Sequence, residues 1–405
     1  MSLECVAQVH AKGEVAMSIE LPAPLASIAQ ESGPQVWLGT SPLPTAKSLD
    51  LWLYPNLRAP ADQHGMYRTV WFYEVNLGQV DSRQVDLVVD EACRLVGQRG
   101  RMVFRFRESK QFSIFQLKHF LGRRYGVQAR VQNEFRVGKE WCVVVEIERA
   151  DLNRYQQRGW TFGILTQGVR VENLQAFFES IRSQPEGEEA EILVCGPKLP
   201  QFERYRLNYV DVDVREDLAE ICKKKNAIAS AATQSNLCLV HDRYRLEPGF
   251  FAGFDKYGYD FDYLTVTQRY ENGEHFPDYC ALSQHELTWN TSLDCLDINY
   301  LLPRQYINGG VTILKTATFR DLPLNELIFW NQAEDVELGK AYRDVSLPPR
   351  CNPYSSMVTM GIDAAYTRKI LPYYARPTLG RFWCGNSWLH RTATKWYRRW
   401  KFKKK

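Results

Sequence analysis

Short apolar runs alternate with segments of helical period along most of this chain. Leu51-Trp52-Leu53-Tyr54 and Val70-Trp71-Phe72 read as short strands. Residues 85–96 predict a helix, 100–106 a strand that follows a Gly-Arg turn, and 112–124 a second helix. Strands near 127–132 and at 141–147 close this series. Strands alternating with helices imply an α/β layer structure. Residues 1–45, rich in Pro, Ser, Ala and Gly, are expected to be irregular.

The pattern restarts at Trp160-Thr161-Phe162-Gly163-Ile164-Leu165-Thr166. A helix follows, with Leu174, Phe177, Phe178 and Ile181 at helical spacing. A polar loop over 183–189 leads to a strand at 191–196, and 209–213 reads as a third. A helix carrying Lys223-Lys224-Lys225-Asn226 precedes a fourth strand, 237–240, which ends at His241-Asp242-Arg243. This β-α-β-β-α-β order is a Rossmann-like nucleotide-binding half, whose ligand site lies at the carboxyl ends of the strands.

At 405 residues the chain is long enough for two or three domains with full cores. With 45% hydrophobic and 24% charged residues it falls in the ordinary globular range, which argues against wholesale disorder. A net charge of +4 does not single out nucleic acid as partner. Ten cysteines are scattered as singles without a C-x-x-C, which argues against a zinc site and a disulfide scaffold. Reduced thiols in a cytosolic protein are the expectation. No signal peptide is expected from the first 30 residues, and no run of about 18 apolar residues predicts a membrane span.

The chemistry concentrates in Trp330-Asn331-Gln332-Ala333-Glu334-Asp335-Val336-Glu337-Leu338, about 20 residues after Asn308-Gly309-Gly310. Adjacent carboxylates raise each other's proton affinity, which suits a base working near neutrality. Glu-Asp before Val-Glu-Leu also suits the first turn of a helix. Asp242 ends a strand at the ligand edge, with Arg243 beside it as a fixed cation. Asp278 either lines a cleft or sits on a surface turn.

In their order along the chain these elements resemble a family-2-type glycosyltransferase of the GT-A fold over residues 160–345. Trp160 to Thr166, Glu179-Ser180-Ile181 with Gln184, and 191–196 match its opening strand, helix and second strand. Lys225-Asn226 matches the basic-Asn pair, His241-Asp242-Arg243 the D-x-D, Asn308-Gly309-Gly310 the acceptor glycine turn, and Glu334-Asp335 the E-D motif.

The resemblance implies an inverting transfer of a sugar from a nucleotide-diphosphate donor to a glycan hydroxyl. Asp335 is the implied base, with Glu334 orienting it. Thr166, Gly196, Asp211, Asp213, Lys225, Asn226, His241, Asp242 and Arg243 are implied on the donor side. Asn308, Gly309, Gly310 and Trp330 face the acceptor or the sugar. A divalent cation (Mn or Mg) is implied at Asp242, although Arg243 stands where a second acid is usual. Some relatives bring a late histidine to the metal, and His390 is the histidine downstream of the acid pair. His285 is the other imidazole of note.

Residues 50–150 resemble the later half of a class I methyltransferase, without the glycine-rich loop that would cradle S-adenosylmethionine. A degenerate domain is the expectation. Methyl transfer, or a catalytically silent glycan-binding protein, is the alternative function.

The tail is separate. Trp388, Trp396 and Trp400 fall near one helical face, and eight Lys or Arg residues lie between His390 and Lys405 without an acid. Such a helix suits an anionic membrane surface, and nucleic acid is the less favoured partner. The expected organisation is a methyltransferase-like α/β domain at 1–155, a GT-A domain at 156–345 and a basic extension at 346–405. The expected location is the inner face of a bacterial cytoplasmic membrane, acting on a lipid-linked acceptor in surface polysaccharide (O-antigen or lipopolysaccharide) synthesis.

Overall fold

The computed structural model describes residues 20–149, 152–215, 217–282, 292–329, 332–365 and 367. Trp330, His285, His390 and the tail with Trp388, Trp396 and Trp400 lie outside them. No helix among the described residues is long and apolar enough to cross a membrane.

The stretch expected to be irregular contains α1 (Ala23–Ala29) and β1 (Gln35–Leu38), and β2 (Ala46–Leu49) follows directly. Pro24 sits in the first turn of α1, where its missing amide costs no helical bond, and Ser32, Pro34, Ser41, Pro42 and Pro44 sit in the connections. The four residues of β1 are buried throughout, in the interior of a sheet. Leu51-Trp52-Leu53 is not a strand: Asp50 accepts the Trp52 amide at 2.9 Å and starts a single 3-10 turn.

The next elements match their predicted order: β3 (Tyr67–Phe72), α2 (Ser82–Leu95), β4 (Val96–Phe106), α3 (Ile114–Tyr125), β5 (Ala129–Val137) and β6 (Glu140–Glu148). The first sheet runs β2-β1-β3-β4-β6-β5. It is parallel from β2 to β4, with β6 antiparallel to both of its neighbours. At the carboxyl ends of β1 and β3, Glu74 accepts the Thr40 amide at 3.2 Å and crowds Gly39, so the two ends close on each other.

The second sheet holds β7 (Trp160–Leu165), β8 (Glu191–Cys195), β9 (Asn208–Tyr209), β10 (Asn236–His241), β11 (Tyr244–Leu246), β12 (Tyr263–Tyr270), β16 (Val311–Lys315) and β17 (Arg350–Thr359), in the order β11-β17-β12-β16-β10-β7-β8-β9. β7 to β10 are mutually parallel, whereas β16 runs against β10 and β12. A parallel strand buried on both faces needs a continuous apolar run, and β7 supplies one. The third strand is short: residues 210–214 leave the sheet after Tyr209.

The helices of this half are α4 (Val171–Arg182), α5 (Ile221–Ala231), α6 (Phe250–Tyr257), α7 (Thr316–Asp321) and α8 (Glu334–Asp344). Leu174, Phe177, Phe178 and Ile181 of α4 are all buried. A third small sheet, ordered β14-β13-β15, joins β13 (Tyr279–Leu282), β14 (Ser292–Asp294) and β15 (Gln305–Ile307). β17 lies beyond residue 345, yet it pairs with β12 from Leu264 to Tyr270. The sheet of the second half therefore continues to residue 359.

The two halves share a hydrophobic core that runs from Val36 and Val70 through Leu239 and Leu314 to Tyr342. They also share a buried ionic network. Asp90 of α2 receives Arg94, Arg124 and Arg350, with Arg350 Nη2 at 2.6 Å. Arg94 continues to Asp260 at 2.9 Å, and Arg149 reaches Asp260 at 2.7 Å. Glu91 receives Arg58 at 3.1 Å and His64 at 2.8 Å. Opposing burial, the arginines hold Glu91 at about 2 and Asp90 lower still. Such a network is costly to interrupt on one side.

Candidate active site

Parallel strands end on one edge of the second sheet. Thr166 follows β7, Gly196 follows β8, residues 210–214 follow β9, and His241-Asp242 close β10. β16 is antiparallel, so its start at Asn308-Gly309-Gly310 reaches the same edge. The Gly310 carbonyl accepts the His241 amide at 3.1 Å and fastens the two segments together.

α8 begins at this turn. Asp335 lies in its first turn, after an N-cap residue, Ala333, that makes no side-chain cap bond. Its Oδ1 accepts the Val336 amide of that turn at 2.9 Å, and its Oδ2 reaches out of the helix to accept the Gly309 amide at 3.0 Å. Burial, and next the Glu334 carboxylate, push Asp335 up to about 7, against the opposing Gly309 amide and Lys225. Lys225 of α5 is buried and donates to the Gly309 carbonyl at 3.0 Å and to Glu334 Oε1 at 3.3 Å. The resemblance implied Lys225 on the donor side. It is instead the buried countercharge of Glu334.

Asn226 also departs from its expected donor role. Its amide donates to Leu324 O at 2.9 Å and Glu326 at 3.0 Å, and its oxygen accepts the Leu324 amide at 3.0 Å. It ties α5 to the loop after α7.

The two glycines are needed for close packing. A Cβ on Gly309 would lie 2.9 Å from Glu334 Oε1, and one on Gly310 would lie 2.5 Å from the Tyr244 hydroxyl. These glycines were expected to face the acceptor or the sugar; the space a side chain would take at each is occupied by protein atoms. Asn308 Oδ1 accepts the Gly310 amide at 3.0 Å, and its Nδ2 donates to Pro277 O at 3.0 Å.

Beside this constellation lies a cavity of about 360 Å³ lined by Thr166, Gln167, Cys195, Gly196, Pro197, Val210, Asp211, Val212, Val214 and Lys224. It gathers the expected Thr166, Gly196 and Asp211. Asp213 is absent from the lining; its backbone carbonyl accepts Lys223 Nζ. Gly196 permits the approach of β7, since a Cβ there would meet Thr166 O at 2.4 Å.

Asp242 is buried and fully engaged: Thr166 Oγ1 donates to it at 2.9 Å and Arg170 Nη1 at 2.5 Å. Arg170, missed from the sequence, is thus its cation. Arg243 lies instead against the Tyr244 ring, 5.7 Å from its centroid. The signal for Arg170 was its place just before α4, near the end of β7. Asp242 offers a metal ion a single carboxylate that Arg170 already neutralises, so an ion fits there only with Arg170 displaced.

His241 is held well below its usual range, first by burial and then by Lys225, Arg243 and Arg170, so its ring is neutral at neutral pH. Its Nε2 is buried without a hydrogen-bond partner among the described residues.

Asp278 is no surface acid. It is buried, its Oδ2 accepts the Gln268 amide at 2.8 Å, and burial pushes it up to about 7. Its backbone carbonyl accepts the Asn308 amide at 3.0 Å.

No family model and no curated protein matches the chain. Among solved structures, residues 1–349 of S. aureus TarS align over 53% of this chain and 69% of that one, with 16% identity and a TM-score of 0.35. GalNAc-T7 with UDP, GalNAc and Mn2+ aligns over 57% of this chain and 47% of that one, at 11% identity and a TM-score of 0.40. The mannosyltransferase PcManGT from Pyrobaculum calidifontis, with GDP-Man and Mn2+, aligns over 52% and 59%, at 13% identity and a TM-score of 0.36. Each of these alignments spans only about half of this chain.

Proposed function

We propose that the chain is an inverting glycosyltransferase that moves a sugar from a nucleotide-diphosphate donor to a glycan hydroxyl. The observation that carries this reading is Asp335: a half-buried carboxylate with its proton affinity near neutrality, on a glycine turn fastened to the strand edge. Asp335 takes the proton of the acceptor hydroxyl as that oxygen attacks the anomeric carbon. The bond to the diphosphate breaks on the opposite face and its electron pair leaves with the phosphate, which inverts the centre.

The nucleotide occupies the cavity between Thr166 and Lys224, with Gly196 and Asp211 at its wall. Arg170 and Lys224 are the cations at hand for the leaving diphosphate. A Mn or Mg ion would be held by Asp242 and the donor phosphates after Arg170 swings away, and would neutralise the leaving group. Glu334, paired with Lys225, orients the turn that carries the base.

The acceptor is lipid-linked in this reading, and Trp388, Trp396 and Trp400 dock the enzyme to the inner, anionic face of the membrane. Removing 388–405 then moves the enzyme from the membrane to the soluble fraction. Continued sedimentation with membranes overturns the docking.

The test of the activity is a thermal-shift panel of uridine, guanosine and cytidine diphosphate-sugars, with and without manganese. It is followed by donor turnover with and without glycan acceptors. Stabilisation by none of the donors would defeat the reading.

A further inference from the structure

We propose that His275, Asp278 and Asp294 form a binding site for a divalent first-row metal ion, separate from Asp242 and adjoining the Asn308 turn. One ligand atom from each of the three lies within 4.8 Å of the others. The sheet register builds this closeness. Asp278 stands two residues before Cys280, hence on the same face, and Cys280 pairs directly with Asp294 of β14. His275 enters from the turn after β12, where it bridges back to Arg269. Its Nε2 lies 3.3 Å and 3.2 Å from the two oxygens of Asp294.

The charge balance of the fold supplies an independent argument. The buried carboxylates among the described residues are Asp90, Glu91, Asp242, Asp260, Asp262, Asp278, Asp294 and Glu334. Six of them form an ion pair with arginine or lysine. Asp278 and Asp294 do not. Asp294, 4% exposed, has only His275 as its ion-pair partner, and Asp278, 3% exposed, makes no ion pair among the described residues. Two buried carboxyls thus face one imidazole, and with both ionised even a protonated imidazole leaves them a negative charge in excess. A buried carboxylate needs a countercharge. For the other six buried carboxylates among the described residues a basic side chain provides it; at Asp278 and Asp294 the missing charge matches a cation held by one nitrogen and two oxygens. That donor set suits Zn2+ or Mn2+ better than Mg2+.

The ion would act by position. The Asp278 carbonyl accepts the Asn308 amide at 3.0 Å, and Asn308 leads into Gly309, on which Asp335 rests. Holding Asp278 in place therefore holds the turn.

The test uses the full chain, stripped with EDTA and free of nucleotide. Mn2+ is titrated with the free-ion signal followed by electron paramagnetic resonance, and Zn2+ by calorimetry. One ion per chain is expected, lost in His275→Ala and in Asp294→Asn and retained in Asp242→Asn. His275 is half-buried, so its variant is the one to rely on for a folded protein, checked by circular dichroism. Absence of stoichiometric uptake by the wild-type chain overturns the proposal, as does uptake that survives both His275→Ala and Asp294→Asn. Sugar transfer is not the readout, so failure of the glycosyltransferase reading would leave this result standing.

Discussion

Asp335 and Gly309 meet through a hydrogen bond of 3.0 Å from the glycine amide to the carboxylate Oδ2. The contact spends the first-turn acid of α8 on a neighbouring turn and leaves it half-buried beside Glu334. A single carboxylate thereby becomes both the lock of the turn and its titrating group.

Asp335→Asn should lower transfer by about 10²–10⁴-fold, the usual contribution of a general base, and leave donor binding nearly intact. Transfer rates and donor thermal shifts measured side by side check this. Normal turnover in the variant rules out Asp335 as the base.

The pH dependence follows from the same group. The base must be ionised, so kcat/KM should rise with pH and level off above about 7. Glu334→Gln removes the neighbouring charge that raises Asp335, so the midpoint should move to lower pH. The sign for stability is the reverse. A carboxyl raised in the folded state contributes stability below its unfolded value near 3.8, which is lost as pH rises through about 7. Asp335→Asn should therefore melt higher than the wild type at pH 8 and lose that advantage progressively as pH falls from about 7 toward 3.8.

Gly310→Ala should destabilise the chain by about 1–3 kcal/mol, because the new methyl meets the Tyr244 hydroxyl at 2.5 Å. Tyr244→Phe in the same chain should recover part of the loss. Denaturant unfolding of the two single variants and the double variant measures the coupling, and strict additivity would remove the steric explanation.

Arg170→Ala frees one oxygen of Asp242 from its 2.5 Å ion pair. Donor binding should then depend more strongly on manganese than in the wild type. Thermal shifts with a nucleotide-sugar across a manganese series test this, and an unchanged dependence would mean that Asp242 does not take the ion.

Asp90→Asn should cost about 3–5 kcal/mol, because it leaves Arg94, Arg124 and Arg350 buried around a neutral amide. Urea unfolding gives the value. Glu91 and Asp90 are held below their usual range, so the stability they contribute is present above pH 4.5 and lost as pH falls toward 2. The variant should show a shallower acid dependence over that window.

Much of this was legible in the order of residues. The periods at 160–166, 174–181 and 237–240 determined β7, α4 and β10, because buried parallel strands and amphipathic helices write their environment into a local pattern. Asp335 and the glycine turn were visible as neighbouring signals of unusual composition. Other features depend on residues far apart in the chain, whose meeting no local pattern encodes. Arg350 finds Asp90 across 260 positions, Arg170 finds Asp242 across 72, and Lys225 finds Glu334 across 109. Whether a lysine in a run of three is solvated or buried depends on what packs over it, and only the folded chain settles that. The sequence by itself determined which segments are strands and helices and where an acid pair stands. Only the tertiary structure decided which charges neutralise one another, because countercharges are chosen by distance in space and by burial.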